Sequence, residues 1–277
     1  MREFEAGIIR TELRGQSTRS LHALHGSPLR FGSVQACTID LLCEDIAREA
    51  EPGQFVHVRA GSGTDPFLRR TFSVCGTDTE RGAIKLLIDI VGRGTELLCS
   101  MKRGGSVSVI GPLGTGFDTE LGGDGACIIV AGGVGAAPLL FLSERLSNTV
   151  KRQVIFMMGA RNSAYLRILD GLLGEEITLL TATEDGDSGF HGMVSELLEK
   201  NIETVKPAAI YSCGPNAMLK EISGLAERTG IPCQVSLEER MACGIGVCLG
   251  CAVPLKGGHM VRSCVDGPVF DASEVVW

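Results

Sequence analysis

The sequence has few features of an exported, membrane or nucleic-acid-binding protein. Its N-terminus has no apolar segment of the kind that signal peptides carry, so we expect a cytoplasmic location. The longest uncharged apolar run, 126–142, just reaches the lower length limit of a membrane span, but glycines and Pro138 interrupt it. The net charge of −7 leaves no basic excess for binding phosphate backbones. We therefore expect neither a membrane nor a nucleic acid as partner.

Side chains for acid–base or nucleophilic catalysis are also scarce. No Ser-His-Asp set is evident, and the five histidines show no metal-ligand spacing: His22, His25, His57, His191 and His259. Cysteine, by contrast, is abundant, with eleven in 277 residues. Most of the seven scattered cysteines sit in apolar stretches, where they are expected to be small buried hydrophobic residues. The seven are Cys37, Cys43, Cys75, Cys99, Cys127, Cys213 and Cys233.

The other four cysteines lie close together near the C-terminus, as Cys243-x4-Cys248-x2-Cys251-x12-Cys264. This spacing is typical of the four thiolate ligands of a plant-type [2Fe–2S] cluster. The glycines between them leave backbone N–H groups free to approach sulfur. A zinc site or disulfides are the alternatives, although structural zinc usually takes two close pairs of ligands. The pattern favours an iron–sulfur cluster.

Two types of chain organisation precede this cysteine-rich tail. Short strands with Gly/Pro turns up to about residue 115 predict an antiparallel β-barrel. From residue 126, strands alternate with helices, two of them expected over about 137–147 and 164–173, which predicts a parallel sheet covered on both faces. We expect an FAD-binding barrel over 1–118, an α/β NAD-binding domain over 119–232 and a cluster module over 233–277. The segment Gly15–Gly32 has no clear period, which predicts a loop or an elaborated hairpin.

Two motifs in the barrel are suited to a flavin nucleotide. Arg70-Thr71-Phe72-Ser73 opens a strand, and an arginine fork can grip a pyrophosphate through two charge-assisted hydrogen bonds. A second strand ends at Ile90-Val91 and is followed by Gly92-Arg93-Gly94-Thr95. Glycine there lets backbone N–H groups approach phosphate, at what Thr95 suggests is a helix start. Each motif alone also occurs in ordinary turns; their order supports a flavin site.

The α/β region contains three loops suited to a dinucleotide. A strand, the turn Gly132-Gly133-Val134-Gly135 and a helix begin the region, as in a first dinucleotide-binding unit. Cys213-Gly214-Pro215 follows a later strand. Glu184 and Asp185 follow another and would repel a 2′-phosphate, which favours NAD over NADP. A tight turn without ligand and an acidic surface loop are the alternatives.

The order of these motifs resembles that of the ferredoxin–NADP reductase superfamily. The stretch SLEERMACGIGVCLGC, residues 236–251, and EPGQFVHV, residues 51–58, are very similar to the electron-transfer subunits of class 1B dihydroorotate dehydrogenases. The resemblance implies bound FAD, a [2Fe–2S] cluster and the use of NAD. It also implies an FMN-containing partner subunit that oxidises dihydroorotate, in an assembly of two of each subunit. Electrons would then run from the partner's FMN through the cluster and FAD to NAD⁺.

The resemblance also implies roles for individual residues. Gly133 and Gly135 border the NAD pyrophosphate, and Cys213 lies near the nicotinamide. FAD is bound by Arg70, Thr71, Ser73, Gly94 and Thr95. Two other functions fit the sequence. One is an NADH-dependent reductase subunit for a ferredoxin, a hydrogenase or a sulfide-linked partner. The other is a zinc-stapled nucleotide-binding regulator with no redox role.

Overall fold

The computed structural model describes residues 2–14, 36–61 and 63–277. The predicted loop or hairpin at Gly15–Gly32 lies outside these residues. Within the described ranges, no helix is both long enough and apolar enough to cross a membrane.

Six strands of the N-terminal part close into a barrel: β1 (Arg2–Arg14), β2 (Ala36–Leu42), β3 (Phe55–Arg59), β4 (Arg70–Asp78), β5 (Ala83–Asp89) and β6 (Ser106–Leu113). Their order is β1-β2-β5-β4-β3-β6, and β1 pairs with β6 to close the ring. All the pairs are antiparallel. Alternate residues, such as Val56 and Val58, fill the interior. The predicted antiparallel barrel is confirmed.

Two short helices lie in the barrel connections, α1 (Glu44–Glu49) and α2 (Arg93–Ser100). The sequence patterns did not predict α1, which is only six residues long. Its acidic first turn, with Glu44, and Arg48 in the last turn both favour the helix dipole. Ile46 is fully buried against the barrel, so tertiary packing stabilises a helix too short to form alone.

A parallel sheet follows the barrel, with strands β7 (Cys127–Gly132), β8 (Val154–Ala160), β9 (Thr178–Thr183), β10 (Phe190–His191), β11 (Ala209–Cys213) and β12 (Cys233–Ser236). Four helices connect them: α3 (Ala136–Glu144), α4 (Ser163–Leu166), α5 (Val194–Val205) and α6 (Asn216–Thr229). One face of the sheet packs with α3, and the opposite face packs with α5 and α6. The predicted sheet, covered on both faces, is thus confirmed.

The C-terminal part adds β13 (Ala252–Leu255), β14 (His259–Arg262) and β15 (Val269–Asp271). β13 and β14 form an antiparallel hairpin. β15 instead joins the large sheet, whose order is β10-β9-β8-β7-β11-β12-β15, and runs antiparallel to β12. Two of the strands within 233–277 therefore extend the α/β sheet, which ties the cysteine-rich tail to it.

Two helices differ from the sequence prediction. The helix expected over 164–173 is only one turn, α4, followed by the 3₁₀ turn Arg167–Leu169. Gly171 then adopts a left-handed conformation with φ of 67°, which ends the helical geometry. The helix expected over 137–147 is α3, continued by a π-helical turn over Arg145–Val150. In both regions the helical segment is present but its regular α part is shorter than predicted.

Helix α3 lies between the barrel and the sheet. Every residue from Ala136 to Ser143 is buried, so the apolar run is explained by burial on all sides. Phe141 packs with the barrel core, whereas Leu140 and Leu142 pack with the sheet core. The helix thereby fixes the dinucleotide-type sheet against the barrel.

Two of the scattered cysteines differ from the sequence prediction. Cys37 of β2 and Cys99 of α2 form a disulfide, whereas most of the scattered cysteines were expected to be small buried hydrophobic residues. The other five scattered cysteines are free and buried, as predicted: Cys43, Cys75, Cys127, Cys213 and Cys233. The disulfide holds the end of α2 against the barrel wall.

We expect the Cys37–Cys99 bond to stabilise the barrel measurably. A closed loop with a sequence separation of 62 residues contributes about 4 kcal/mol in the chain-entropy description. Cys99→Ser should therefore lower the urea midpoint of barrel unfolding under non-reducing conditions. Wild-type protein with excess reductant is the matched control and should unfold like the variant. Alkylation of the denatured, unreduced wild type should modify nine thiols; modification of all eleven cysteines would contradict the pairing.

Candidate functional site

The two predicted flavin motifs meet at the start of α2. A Cβ atom built on Gly94 would lie 2.5 Å from Cζ of Arg70, so the guanidinium rests directly on this glycine. Only glycine leaves room for so close an approach. Arg70 opens β4 and Gly94 lies in the first turn of α2, where backbone N–H groups are unpaired. A cation and a helix N-terminus thus converge, which is an arrangement suited to a pyrophosphate.

Thr95 organises the loop that carries this site. Its hydroxyl donates to the carbonyl of Gly92 at 2.8 Å and accepts from the N–H groups of Val91 and Gly92 at 3.0 and 3.1 Å. The side chain is buried, so it shapes the turn rather than facing a ligand. Val91 is 75% exposed and Ile90 is half-buried. Ile90 follows the last residue of β5, which ends at Asp89 and is two residues shorter than predicted.

The register of β3 against β4 arranges the rest of the flavin motif. Phe55 pairs with Ser73, and His57 pairs with Thr71. Directly opposite residues in an antiparallel pair point to the same face, so these four side chains share the face turned away from the barrel interior. Phe72 packs at the edge of the barrel core.

Cys243, Cys248 and Cys251 lie in one loop, and Cys264 follows the β13–β14 hairpin. Backbone N–H groups of the loop are directed at the cysteine sulfurs. Gly246 N–H donates to Sγ of Cys264 at 3.1 Å. The N–H groups of Ile245 and Cys248 donate to Sγ of Cys243 at 3.5 and 3.4 Å. Such bonds stabilise thiolate and iron-bound sulfur. The donor set therefore fits an iron–sulfur cluster.

The thiols form two neighbouring pairs. Burial raises the pKa of Cys243, but the N–H groups of Ile245 and Cys248, followed by the Cys248 side chain, outweigh it and lower the pKa to about 6. Burial and the adjacent Cys251 raise the pKa of Cys264 to about 11. Over the described ranges, no three His, Cys, Asp or Glu side chains are grouped around a single metal-ion position. Two pairs of thiols match the two-per-iron requirement of a [2Fe–2S] cluster.

The cysteine loop packs on the outer face of β3. Cys251 and Cys264 form a buried apolar cluster with Phe55 and Leu113. Beside it, Gly244 has a left-handed φ of 68°, and a Cβ atom there would lie 2.8 Å from Nδ1 of His57. Phe55 and His57 belong to the same face as Ser73 and Thr71. The predicted cluster ligands and the predicted flavin motif thus meet on the same outer face of the β3–β4 strand pair.

The two glycine loops of the sheet also lie together. β7 and β11 are neighbours in parallel register, and a Cβ atom on Gly135 would lie 2.5 Å from the carbonyl oxygen of Cys213. Gly133 begins the 3₁₀ turn after β7 and has no heavy atom within 4 Å of its Cβ position. Carboxyl ends of parallel strands are where nucleotides bind in open sheets, and Gly133 leaves space there.

Glu184 and Asp185 follow β9 at the same end of the sheet. Their N–H groups donate to the carbonyls of Ala160, the last residue of β8, and Arg161, which follows it, at 3.1 and 3.3 Å. The acidic loop is therefore held beside the end of β8, at the carboxyl ends of the parallel strands. We call this edge of the sheet, which also carries the two glycine loops, the nucleotide edge.

Cys213 has an acidic neighbour that sequence reasoning missed. Its Sγ lies 4.0 Å from Oε1 of Glu238. Burial, followed by Glu238, raises the pKa of Cys213. Glu238 still reaches solvent, but the protein crowded around it, and then Asp89, raise its pKa. Asp89 directly precedes the flavin loop, so Glu238 bridges the nucleotide edge and that loop. Only the tertiary fold reveals this contact.

His57 is the other residue that sequence reasoning did not select. It is 1% exposed. Burial lowers the pKa of His57, and the charge of Arg69 lowers it further, while the carbonyls of Arg69 and Cys243 oppose the shift. Its spacing from the other histidines gave no signal, because its neighbours come from distant parts of the chain.

Two protein-family models match the sequence. The iron–sulfur cluster binding domain of dihydroorotate dehydrogenase B matches residues 238–276, and an oxidoreductase NAD-binding domain matches residues 129–224. The first range contains all four predicted cluster ligands, and the second contains both glycine loops.

Similar solved structures support the fold. A structure described as the NADH-dependent reduced ferredoxin-NADP oxidoreductase superposes with a TM-score of 0.80 at 27% identity, covering 98% of this chain and 90% of that one. A ferredoxin NADP⁺ reductase from Neisseria gonorrhoeae gives a TM-score of 0.62 at 19% identity, over 83% and 92% of the chains. The predicted ferredoxin–NADP reductase fold is confirmed.

Relatives found by sequence similarity identify the family more narrowly than the solved structures do. A protein of Desulforamulus reducens is 44% identical over 84% of this chain and 89% of its own length. One of Enterococcus faecalis is 38% identical over 86% and 91%. Both are named dihydroorotate dehydrogenase B (NAD(+)), electron transfer subunit. The predicted family is confirmed: this chain belongs to the electron transfer subunits of NAD⁺-dependent dihydroorotate dehydrogenase B.

Proposed function

We propose that this chain binds FAD and a [2Fe–2S] cluster and passes electrons from an FMN-containing, dihydroorotate-oxidising partner subunit to NAD⁺. The names of its relatives support the overall reaction. The observation that carries the electron path is the shared strand pair, because Cys251 and Cys264 pack on Phe55 and Phe55 pairs with Ser73 of the flavin motif. When bound, FAD supplies exchange between hydride and single-electron chemistry.

Each predicted residue has a proposed task. Cys243, Cys248, Cys251 and Cys264 hold the cluster. Arg70 and Gly94 receive the FAD pyrophosphate, and Thr95 holds their loop in shape. Contacts with the rest of the flavin are assigned to Thr71, Phe72, Ser73, Ile90, Val91 and Gly92. Gly133, Gly135, Glu184 and Asp185 receive NAD, and Cys213 lies beside the nicotinamide.

The partner surface is proposed to surround the cysteine loop. Val247 is 75% exposed and Leu249 is 62% exposed, and both lie between cluster ligands in sequence. Met260 of the adjacent hairpin is 61% exposed. Exposed apolar side chains grouped in this way are typical of a protein interface. A subunit docked here would place its own redox group near the cluster.

The remaining assignments concern assembly. We propose two copies of each subunit, a cytoplasmic location, and catalysis of NAD⁺ reduction by this chain within the complex. The proposed functional units are 1–118, 119–232 and 233–277, with β12 and β15 attaching the last unit to the sheet.

A second function, an NADH-dependent reductase subunit for a ferredoxin-like partner, is favoured by the 0.80 TM-score with the NADH-dependent ferredoxin-NADP oxidoreductase.

We predict that Gly94→Ala weakens FAD binding at least about tenfold, since a charge-assisted hydrogen bond contributes about 1.5–3 kcal/mol and 1.4 kcal/mol is tenfold in affinity. The new methyl group would overlap the Arg70 side chain and displace it from the anion site. Fluorescence titration of apoprotein with FAD measures the change.

Gly224→Ala on α6 is the matched control, because its nearest contact is an ordinary 3.6 Å from Arg228. It should leave FAD affinity unchanged. Equal FAD affinity for Gly94→Ala and the wild type would show that the pyrophosphate lies elsewhere.

Co-expression tests the partner. This chain, together with an FMN-containing dihydroorotate-oxidising subunit, should form NADH from NAD⁺ when dihydroorotate is added. Val247→Glu should reduce that rate at least about tenfold, because an uncompensated carboxylate in an apolar interface costs several kcal/mol. NADH-driven reduction of a small artificial acceptor should be unchanged. Leu42→Glu, on the far side of the barrel and 48% exposed, is the charge-matched control.

Two results would contradict this assignment. One is NADH formation by the oxidising subunit without this chain. The other is no reaction with that subunit together with rapid NADH-dependent reduction of a ferredoxin, which would establish the second function instead.

A further inference from the structure

His57 occupies the junction between the two proposed cofactor sites. It lies on β3, opposite Thr71 of the flavin motif. On its other side, the imidazole contacts Gly244 of the cysteine loop, with Nδ1 at 2.8 Å from the position of an added Cβ atom. Phe55, two residues earlier on the same face, packs against Cys251 and Cys264. His57 is thus in contact with both halves of the electron path.

The surroundings of this imidazole are unusual for a purely structural residue. The side chain is 1% exposed, and neither Nδ1 nor Nε2 has a hydrogen bond of good geometry within the described part of the chain. Burying a polar group without a partner costs about 1–3 kcal/mol. Packing alone would be satisfied better by an apolar side chain of similar volume. The polar ring therefore indicates a task other than filling space.

An interaction with the backbone at Cys243 would give the imidazole such a task. Against the larger lowering by burial, the backbone of Cys243 and that of Arg69 both act on the imidazole and raise its pKa, while Gly244, the next residue, contacts the ring directly. Arg69 directly precedes Arg70, the first residue of the flavin motif. Backbone groups of the cysteine loop and of the residue just before β4 therefore both influence the same ring. Metal sites commonly depend on such outer contacts to orient their ligands.

We propose that His57 is a positioning residue, whose imidazole holds the Cys243–Gly244 backbone against the β3–β4 strand pair and so fixes the cluster relative to the flavin. This inference rests on the proposed binding of FAD and the cluster to this chain. It does not depend on the identity of the partner. His57 exchanges no electrons or protons in this role.

The test compares His57→Leu with His57→Gln in cofactor-loaded protein. Rapid mixing with NADH separates reduction of the flavin, seen by absorbance, from later reduction of the cluster, seen by freeze-quench electron paramagnetic resonance. Leucine should slow the second step about 10-fold to 100-fold, the usual effect of losing a residue that supports a metal ligand. It should also alter the resonance spectrum of the reduced cluster. Glutamine retains an N–H donor and should restore most of the rate and the spectrum.

Ile39→Ala is the control for general loss of barrel stability. Ile39 is buried in the barrel core on β2, which pairs with β1 and β5 rather than with β3 or β4, so its variant should leave the spectrum and the second step unchanged. A wild-type spectrum and rate in His57→Leu would overturn the proposal, as would a glutamine variant no better than leucine. If His57→Leu fails to fold, His57→Ala takes its place: altered g-values and a slowed second step with retained iron support the role, and a wild-type spectrum and rate overturn it.

Failure of the proposed function has a different signature. Wild-type protein would then lack flavin or iron, or its cluster would not accept electrons from NADH at all. The His57 comparison uses NADH as the electron source, so a wrong assignment of the partner leaves it intact.

Discussion

The register between β3 and β4 is the constraint on which the proposed electron path depends. Because Phe55 pairs with Ser73 and His57 pairs with Thr71, the proposed flavin site and the proposed cluster site share one outer surface of the barrel. Because side chains alternate along a strand, a shift of one residue would turn Phe55 and His57 into the barrel and expose Val56 and Val58. The buried valines therefore fix the register. Core packing thus sets the strand register on which the arrangement of the two proposed sites depends.

Three other contacts carry this arrangement through the molecule. Helix α3 is buried between barrel and sheet, which fixes the nucleotide edge relative to the flavin loop. Glu238 lies between Cys213 and Asp89, where those two regions meet. β15 pairs with β12, so the cysteine-rich tail is anchored to the same sheet. A small module that lacks its own core is thereby held by its neighbours as well as by its metal centre.

Local patterns predicted most of the fold and the candidate ligands. Alternating strands, glycine turns and the cysteine spacing are properties of short segments, so the barrel, the parallel sheet and the four thiols could be read from the sequence. The contacts of His57 with Gly244, and of Glu238 with Cys213, join distant segments and have no local signal. The Cys37–Cys99 bond was missed for the same reason, because it depends on how α2 lies on β2. Helix α1 is too short to show a period.

The central claim is that cluster and flavin form one path to NAD⁺ within this chain. Its most direct test is to reduce the purified protein with dithionite, remove the reductant, add NAD⁺ without oxygen, and follow the cluster by electron paramagnetic resonance while NADH is measured. The account predicts that the cluster signal disappears as NADH forms, and that apoprotein lacking FAD shows neither change. A cluster that stays reduced while NADH forms at the flavin would contradict it.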